Sequence, residues 1–155
     1  MIRRAQEQDI SRVLELLEQV NMVHHIIRPD LFNIGTKYTA EELLQLFADD
    51  SRPVFVLEED GCIRGYMFTW IINHSGDNIQ TPILELYIDD LCVDEKYRGQ
   101  HVATRLFEYV KDYAAQLGCH NVTLHVWEGN DGAMAFYRAM GMKTQKTKLE
   151  CVLED

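Results

Sequence analysis

The chain has 155 residues, 46% apolar and 26% charged, which is one domain's length with a globular composition and excludes disordered, collagenous and fibrous classes. Tyr66 to Ile72 is the longest uncharged, mostly apolar run, far short of the ~20 residues that span a bilayer, and no apolar segment backs Arg3 and Arg4, so neither a membrane helix nor a secretory leader is expected. Twenty-five acids against fifteen bases leave a formal charge of −10, a surface that repels nucleic acid and anionic lipid and suits either a cationic substrate or plain solubility.

These features place residues 1–155 in one soluble, cytoplasmic domain without nucleic-acid or membrane partners. Cys62, Cys92, Cys119 and Cys151 have no CxxC spacing and no nearby histidine pair, so no metal site and no disulfide framework is expected. Ile2 to Arg4 is expected as a short first strand. Asp9 is placed to cap a helix that carries Ile10, Val13, Leu14, Leu17 and Val20 at helical spacing. Residues 21–38 lose that period and contain His24, His25, Arg28, Pro29 and Asp30, which predicts a loop. Thr39 and Glu42 form a capping box that opens a helix through Leu43, Leu44 and Phe47. Strands over 53–58 and 62–73 flank Asp60-Gly61, a hairpin signal, and a polar turn over 74–82 leads to a strand over 83–93.

The order then changes. A helix over 102–117 buries Leu106, Phe107, Val110, Tyr113, Ala114 and Leu117 and stops at Gly118; a strand follows over 121–126. Asn130 caps a helix that ends at Gly141, and one or two last strands are expected over 142–154. A strand–helix–strand unit between 84 and 126 demands a crossover and therefore a parallel pair, whereas the earlier hairpins are antiparallel. The expected fold is α/β: a mixed, mostly antiparallel sheet of six to seven strands, with strands four and five parallel and helices on both faces.

Chemistry concentrates where the fourth strand turns into the following helix. Free N–H groups at a helix start, Gly99 that lets a ligand approach the main chain, and the charge of Arg98 suit a phosphate-bearing ligand; a plain turn with a glycine is the alternative. Neither a Walker loop nor the three-glycine dinucleotide spacing is present.

Arg98-Gly99-Gln100-His101-Val102-Ala103 resembles the Arg/Gln-x-x-Gly-x-Gly/Ala coenzyme A loop of the GCN5-related N-acetyltransferase (GNAT) family. Asn130-Asp131-Gly132-Ala133-Met134-Ala135-Phe136-Tyr137, with Gly141 beyond it, resembles that family's Asn-x-x-Ala-x-x-Phe-Tyr…Gly helix. Tyr87-Ile88-Asp89-Asp90-Leu91-Cys92-Val93 is similar to the strand before the loop in polyamine acetyltransferases. One departure is His101, where the family usually has glycine.

The resemblance implies acetyl-CoA as cosubstrate, with pyrophosphate on the backbone of residues 99–104, from Gly99 and Gln100 to Ala103 and Thr104, and pantetheine along Leu91, Cys92 and Val93. Cys92 is expected to pack rather than attack, having no histidine partner by spacing. Acetyl transfer needs a neutral amine, a polarised carbonyl and a protonated leaving thiolate; an alkyl amine with pKa ~10.4 must first lose a proton. Asp89 is the first candidate for that base and Glu85 the second, since Glu85, Tyr87 and Asp89 share a strand face if no bulge intervenes; a solvated acidic face is the alternative. Tyr137 matches the family's proton donor to sulfur, against an ordinary core aromatic. Asn130 either touches the coenzyme or only caps its helix.

His24, His25, Arg28, Phe32 and Tyr38 are candidates for the acceptor side, and Trp70 and Trp127 line a pocket or belong to the core. The expected activity is direct acetyl transfer, in a ternary complex, to a primary amine: a small amine, an amino acid or antibiotic, or a protein amino terminus. The rivals are a coenzyme A-binding sensor or partner module without catalysis, and transfer of a longer acyl chain. A homodimer is left open.

Overall fold

The structure, a computed structural model, describes residues 1–153. The chain runs β1 (Ile2–Arg4), α1 (Ile10–Ile27), α2 (Ala40–Phe47), β2 (Val54–Glu59), β3 (Cys62–Asn73), β4 (Leu84–Val93), α3 (Val102–Gln116), β5 (Asn121–Leu124) and α4 (Asp131–Ala139). The strands lie side by side in sequence order, antiparallel from β1 to β4, with β5 parallel to β4. Alternation splits the core across the sheet. Val54, Val56, Tyr66 and Phe68 pack under α1 and α2 with Val13, Leu16, Leu17, Leu43 and Leu46. Phe55, Leu57, Met67, Leu86 and Ile88 point the other way, against Val102, Leu106, Phe107, Val110 and Ala114 of α3.

Local chemistry explains several boundaries. The capping box at α2 forms in both directions: Glu42 N–H donates to Thr39 Oγ1 at 3.2 Å and Thr39 N–H to Glu42 Oε1 at 3.1 Å. Asp60 and Gly61 both take positive φ, 52° and 72°, as a tight hairpin with the right twist requires. Gly65 matters for the site: a Cβ there would lie 2.8 Å from the Cys92 carbonyl and 3.0 Å from Val102 Cγ1, so only glycine lets the start of α3 sit against the end of β4.

Five expectations are corrected. Leu117, expected to point inward, is exposed, because α3 ends at Gln116 and Leu117 sits at its C-cap. The sheet has five strands among the described residues, not six to seven: 142–153 adopt no strand, and residue 154 lies outside the described residues. A strand needs a ladder partner, and this lysine-rich segment leaves Leu149, Val152 and Leu153 exposed. α1 continues through 21–27, expected as loop, because no breaker occurs before Pro29, which disfavours helix at Arg28. Asp9 sits at the α1 start without capping it; its buried carboxylate accepts from Arg3 at 2.7 and 3.0 Å and from Gln6 N–H at 2.8 Å. β5 stops at Leu124 rather than 126, for a reason that lies in β4.

Candidate active site

β4 pairs with β5 only from Glu85 to Ile88, opposite Asn121 to Leu124. On its other edge β4 stays with β3, but the register slips: Ile88 faces Thr69 and Asp90 faces Phe68, which leaves Asp89 as an extra residue. That bulge bends β4 away from β5. Beyond it the β5-side edge of Leu91, Cys92 and Val93 has no strand partner among the described residues, because β5 ends at Leu124 and residues 125–127 are not in a strand. A cleft therefore opens at Asp89.

The bulge also shifts the alternation. Tyr87 lies opposite Trp70, and Asp90 and Cys92 lie opposite Phe68 and Tyr66, so the even residues after the bulge share the α1/α2 face with the odd residues before it. Plain alternation through Glu85, Tyr87 and Asp89 thus ends at Asp89, and Asp90 joins the face. Asp90 was missed by sequence reasoning; the one signal was two adjacent acids in an otherwise apolar strand end.

The two aspartates are held differently. Asp89 Oδ2 accepts from Lys37 Nζ at 2.9 Å and from the Tyr38 hydroxyl at 2.8 Å. Tyr38 stacks on Phe68 with centroids 5.4 Å apart, and Arg52 Nη2 reaches its hydroxyl at 3.4 Å. Asp90 Oδ2 accepts from the Tyr66 hydroxyl at 2.9 Å, and Tyr66 is fully buried. Burial pushes the Asp90 carboxyl up to about 6; the Tyr66 hydrogen bond and the Lys37 charge oppose that, and the Asp89 charge adds to it.

Tyr137 packs on Phe136 and Phe107, with centroids 5.1 and 6.2 Å away. Burial first, then the charge of Asp90, raises its phenol well above the ordinary value, so it stays protonated at neutral pH, within the electrostatic reach of Asp90. Cys92 is buried, its thiol pushed up to about 12 chiefly by burial and donating to the Leu16 carbonyl at 3.3 Å, which removes it as a nucleophile.

Glu85 has a different environment. Its carboxylate takes hydrogen bonds from His74 Nε2 at 2.7 Å and from the Thr123 hydroxyl. Burial alone would raise it, but Thr123 and His74 outweigh that and hold the carboxyl below its usual range.

At the α3 start, Gly99 (φ 79°) and His101 (φ 61°, ψ 23°) both take left-handed conformations. The N–H groups of Val102, Ala103 and Thr104 precede the first helical bond, Arg105 N–H to the His101 carbonyl at 3.0 Å, and no His101 side-chain bond caps them. A Cβ on Gly99 would meet nothing within 4 Å, so the loop is an open cradle whose N–H groups fit a phosphate-bearing ligand. Arg98 and Gln100 are exposed beside it, and Gln100 Oε1 accepts from Arg64 at 3.4 Å. Asn130 caps α4 by accepting from Ala133 N–H at 3.4 Å.

The end of α1 and its loop face the outgoing β5 chain. Phe32 packs on His24 at 5.3 Å and edge-on to Trp127 at 5.4 Å, with the Arg28 guanidinium 5.9 Å above Trp127. The Tyr87 hydroxyl and His125 Nδ1 share a 2.8 Å hydrogen bond. Trp127 and Trp70 are 38% and 44% exposed, so neither belongs to the core.

The sequence profile described as "Acetyltransferase (GNAT) family" matches residues 20–142. A curated relative, thialysine N-epsilon-acetyltransferase of Bos taurus, is 28% identical over 159 aligned residues that cover 91% of this chain and 82% of that protein. The crystal structure of a point mutant of the BH1408 protein from Bacillus halodurans superposes with a TM-score of 0.95 at 28% identity over 99% of both chains. An aminoglycoside acetyltransferase from an uncultured soil sample, solved with sisomicin, shares the fold at a TM-score of 0.72 and 20% identity, over 99% of this chain and 96% of that one. Among the described residues, no helix is long and apolar enough to cross a membrane.

Proposed function

Because the chain belongs to the acetyltransferase (GNAT) family, we propose that it transfers an acetyl group from acetyl-CoA to a primary amine by direct attack in a ternary complex. The observation that carries this reading is the Asp89 bulge: it opens β4 from β5 and sets a raised carboxyl, Asp90, within electrostatic reach of the Tyr137 phenol.

In this reading the N–H groups of residues 99–104, with Arg98, hold the pyrophosphate, and the free edge of Leu91, Cys92 and Val93 pairs with the pantetheine amides. Asp89 meets the incoming ammonium, the role Lys37 plays toward it in the free protein. Asp90 accepts the proton that frees the nitrogen lone pair, because a carboxyl near 6 is a stronger base than an ordinary one yet ionised at neutral pH. Main-chain N–H of the opened strand steadies the carbonyl oxygen, and Tyr137 protonates the departing sulfur. Glu85, engaged by His74 and Thr123, stays outside the proton path.

The acceptor is a cationic alkyl amine. Asp89 and Asp90 supply the counter-charge, Tyr38 and Trp127 supply apolar faces, and the bovine relative is named a thialysine N-epsilon-acetyltransferase. The test is a panel of alkyl diamines, lysine analogues and aminoglycosides with acetyl-CoA, read by released thiol and product mass. Thiol release that depends on one amine class supports the reading. Coenzyme A at a hundredfold excess over Kd should stabilise the fold by ~2.7 kcal/mol. That stabilisation without thiol release from any amine would turn the protein into a binding module.

A further inference from the structure

Lys37 lies in the loop between α1 and α2, and its ammonium rests where an amine substrate would have to arrive. Nζ is 2.9 Å from Asp89 Oδ2 and 5.6 Å from the centre of the Tyr38 ring. Its charge is also felt at Asp90 and at His24, so both lie within its electrostatic reach. The side chain is 43% exposed, and an ion pair that open contributes little and parts readily. A primary amine tethered at an acetyl-transfer site has a high effective concentration there.

We propose that Lys37 is a self-modification site, acetylated on Nζ by the chain's own cleft with acetyl-CoA as donor. This rests on the acetyl-transfer reading above and adds a substrate that the reading does not contain. The lysine ammonium gives a proton to the Asp89–Asp90 carboxylate pair, and the freed nitrogen bonds to the acetyl carbon. The carbon–sulfur bond breaks, the thiolate takes a proton from Tyr137, and the second nitrogen proton returns to the site. The products are Nε-acetyl-Lys37 and coenzyme A thiol, with one proton released to water. The modified side chain no longer carries the charge that pairs with Asp89, so it stops competing with a cationic acceptor for that carboxylate.

The full chain is incubated with acetyl-CoA and no added amine, then analysed by intact mass and by peptide mapping. The expected result is one acetyl group, on Lys37, gained at a rate per molecule that does not change on dilution, slowed by at least ~10-fold in Tyr137→Phe and absent in Lys37→Arg. A parallel sample with an alkyl amine acceptor reports thiol release. Amine turnover with Lys37 left unmodified overturns this proposal and leaves the acetyl-transfer reading intact; no turnover and no label overturns both. Label spread over Lys96, Lys111, Lys143, Lys146 and Lys148 at the Lys37 rate, unchanged in Tyr137→Phe, is uncatalysed acylation and also overturns it.

Discussion

Upstream of Asp89, β4 has a strand on each edge, and its acid, Glu85, accepts a hydrogen bond on each oxygen, from His74 just beyond β3 and from Thr123 of β5. Downstream, β4 keeps only β3, and its acids face a cleft with a lysine, two tyrosines and a third phenol nearby. The two carboxyls move in opposite directions, Glu85 below its usual range and Asp90 up to about 6. Burial pushes both upward; at Asp90 it outweighs the Tyr66 hydroxyl and the Leu91 N–H, whereas at Glu85 Thr123 and His74 outweigh it. One inserted residue produces the contrast, because it removes the β5 neighbour and rotates Asp90 onto the face that Tyr66 and Phe68 line. Two carboxyls shifted in opposite directions can thus share one strand, separated by a bulge.

The substitution with the largest expected effect sits beyond the bulge. Tyr137→Phe keeps the ring packing and should lower kcat by ~10²-fold or more with little change in the KM for acetyl-CoA, and alter stability by about 1 kcal/mol or less. A full-rate variant in steady-state kinetics would make Tyr137 a core residue. Asp90→Asn should lower kcat by ~10-fold or more and abolish the acid limb of the pH–rate profile, which wild type should show near pH 6. The same variant has a thermodynamic signature. A folded carboxyl at about 6, against an ordinary 3.8, binds its proton more tightly in the native state, so wild-type stability falls as pH rises through that window. Asp90→Asn removes that slope, which melting curves across pH 4 to 7 would read.

His101→Gly tests the cradle. Glycine keeps the left-handed backbone of the free loop and removes a bulky ring beside the cradle, so coenzyme A binding by calorimetry should tighten by about threefold. Weakened binding would instead make the imidazole a ligand contact. Glu85→Gln is the smallest: kcat should stay within about twofold, since its oxygens are already taken. Its folded carboxyl lies below the usual value, so its contribution to stability is present above an ordinary pKa of 4.5 and lost as pH falls through the lowered folded one. A large rate loss in Glu85→Gln, with Asp90→Asn intact, would reverse the comparison.

Features encoded over a few residues were legible in the sequence. The Asp60-Gly61 hairpin, the Thr39/Glu42 capping box, the Asn130 cap and the parallel crossover through α3 follow from local chemistry and topology rules. The bulge does not, because Asp89 carries no glycine or proline to mark it and exists only through the register against β3. Asp90 was missed for the same reason: its raised carboxyl depends on burial beside Tyr66, twenty-four residues earlier in the chain. Lys37, paired directly with Asp89, and Arg52, linked to it through the Tyr38 hydroxyl, are likewise brought in only by tertiary packing. The last segment fails in the opposite sense, since the strands expected over 142–154 have no ladder to join among the described residues.

The measurement closest to the centre of this account is the titration of Asp90 itself, by carbon-13 NMR of its side-chain carboxyl in the ligand-free protein, assigned by the resonance that Asp90→Asn removes. A midpoint at about 6 is the predicted result. A midpoint at the ordinary 3.8 would mean that the bulge does not raise this carboxyl, and would take the proton acceptor out of the mechanism.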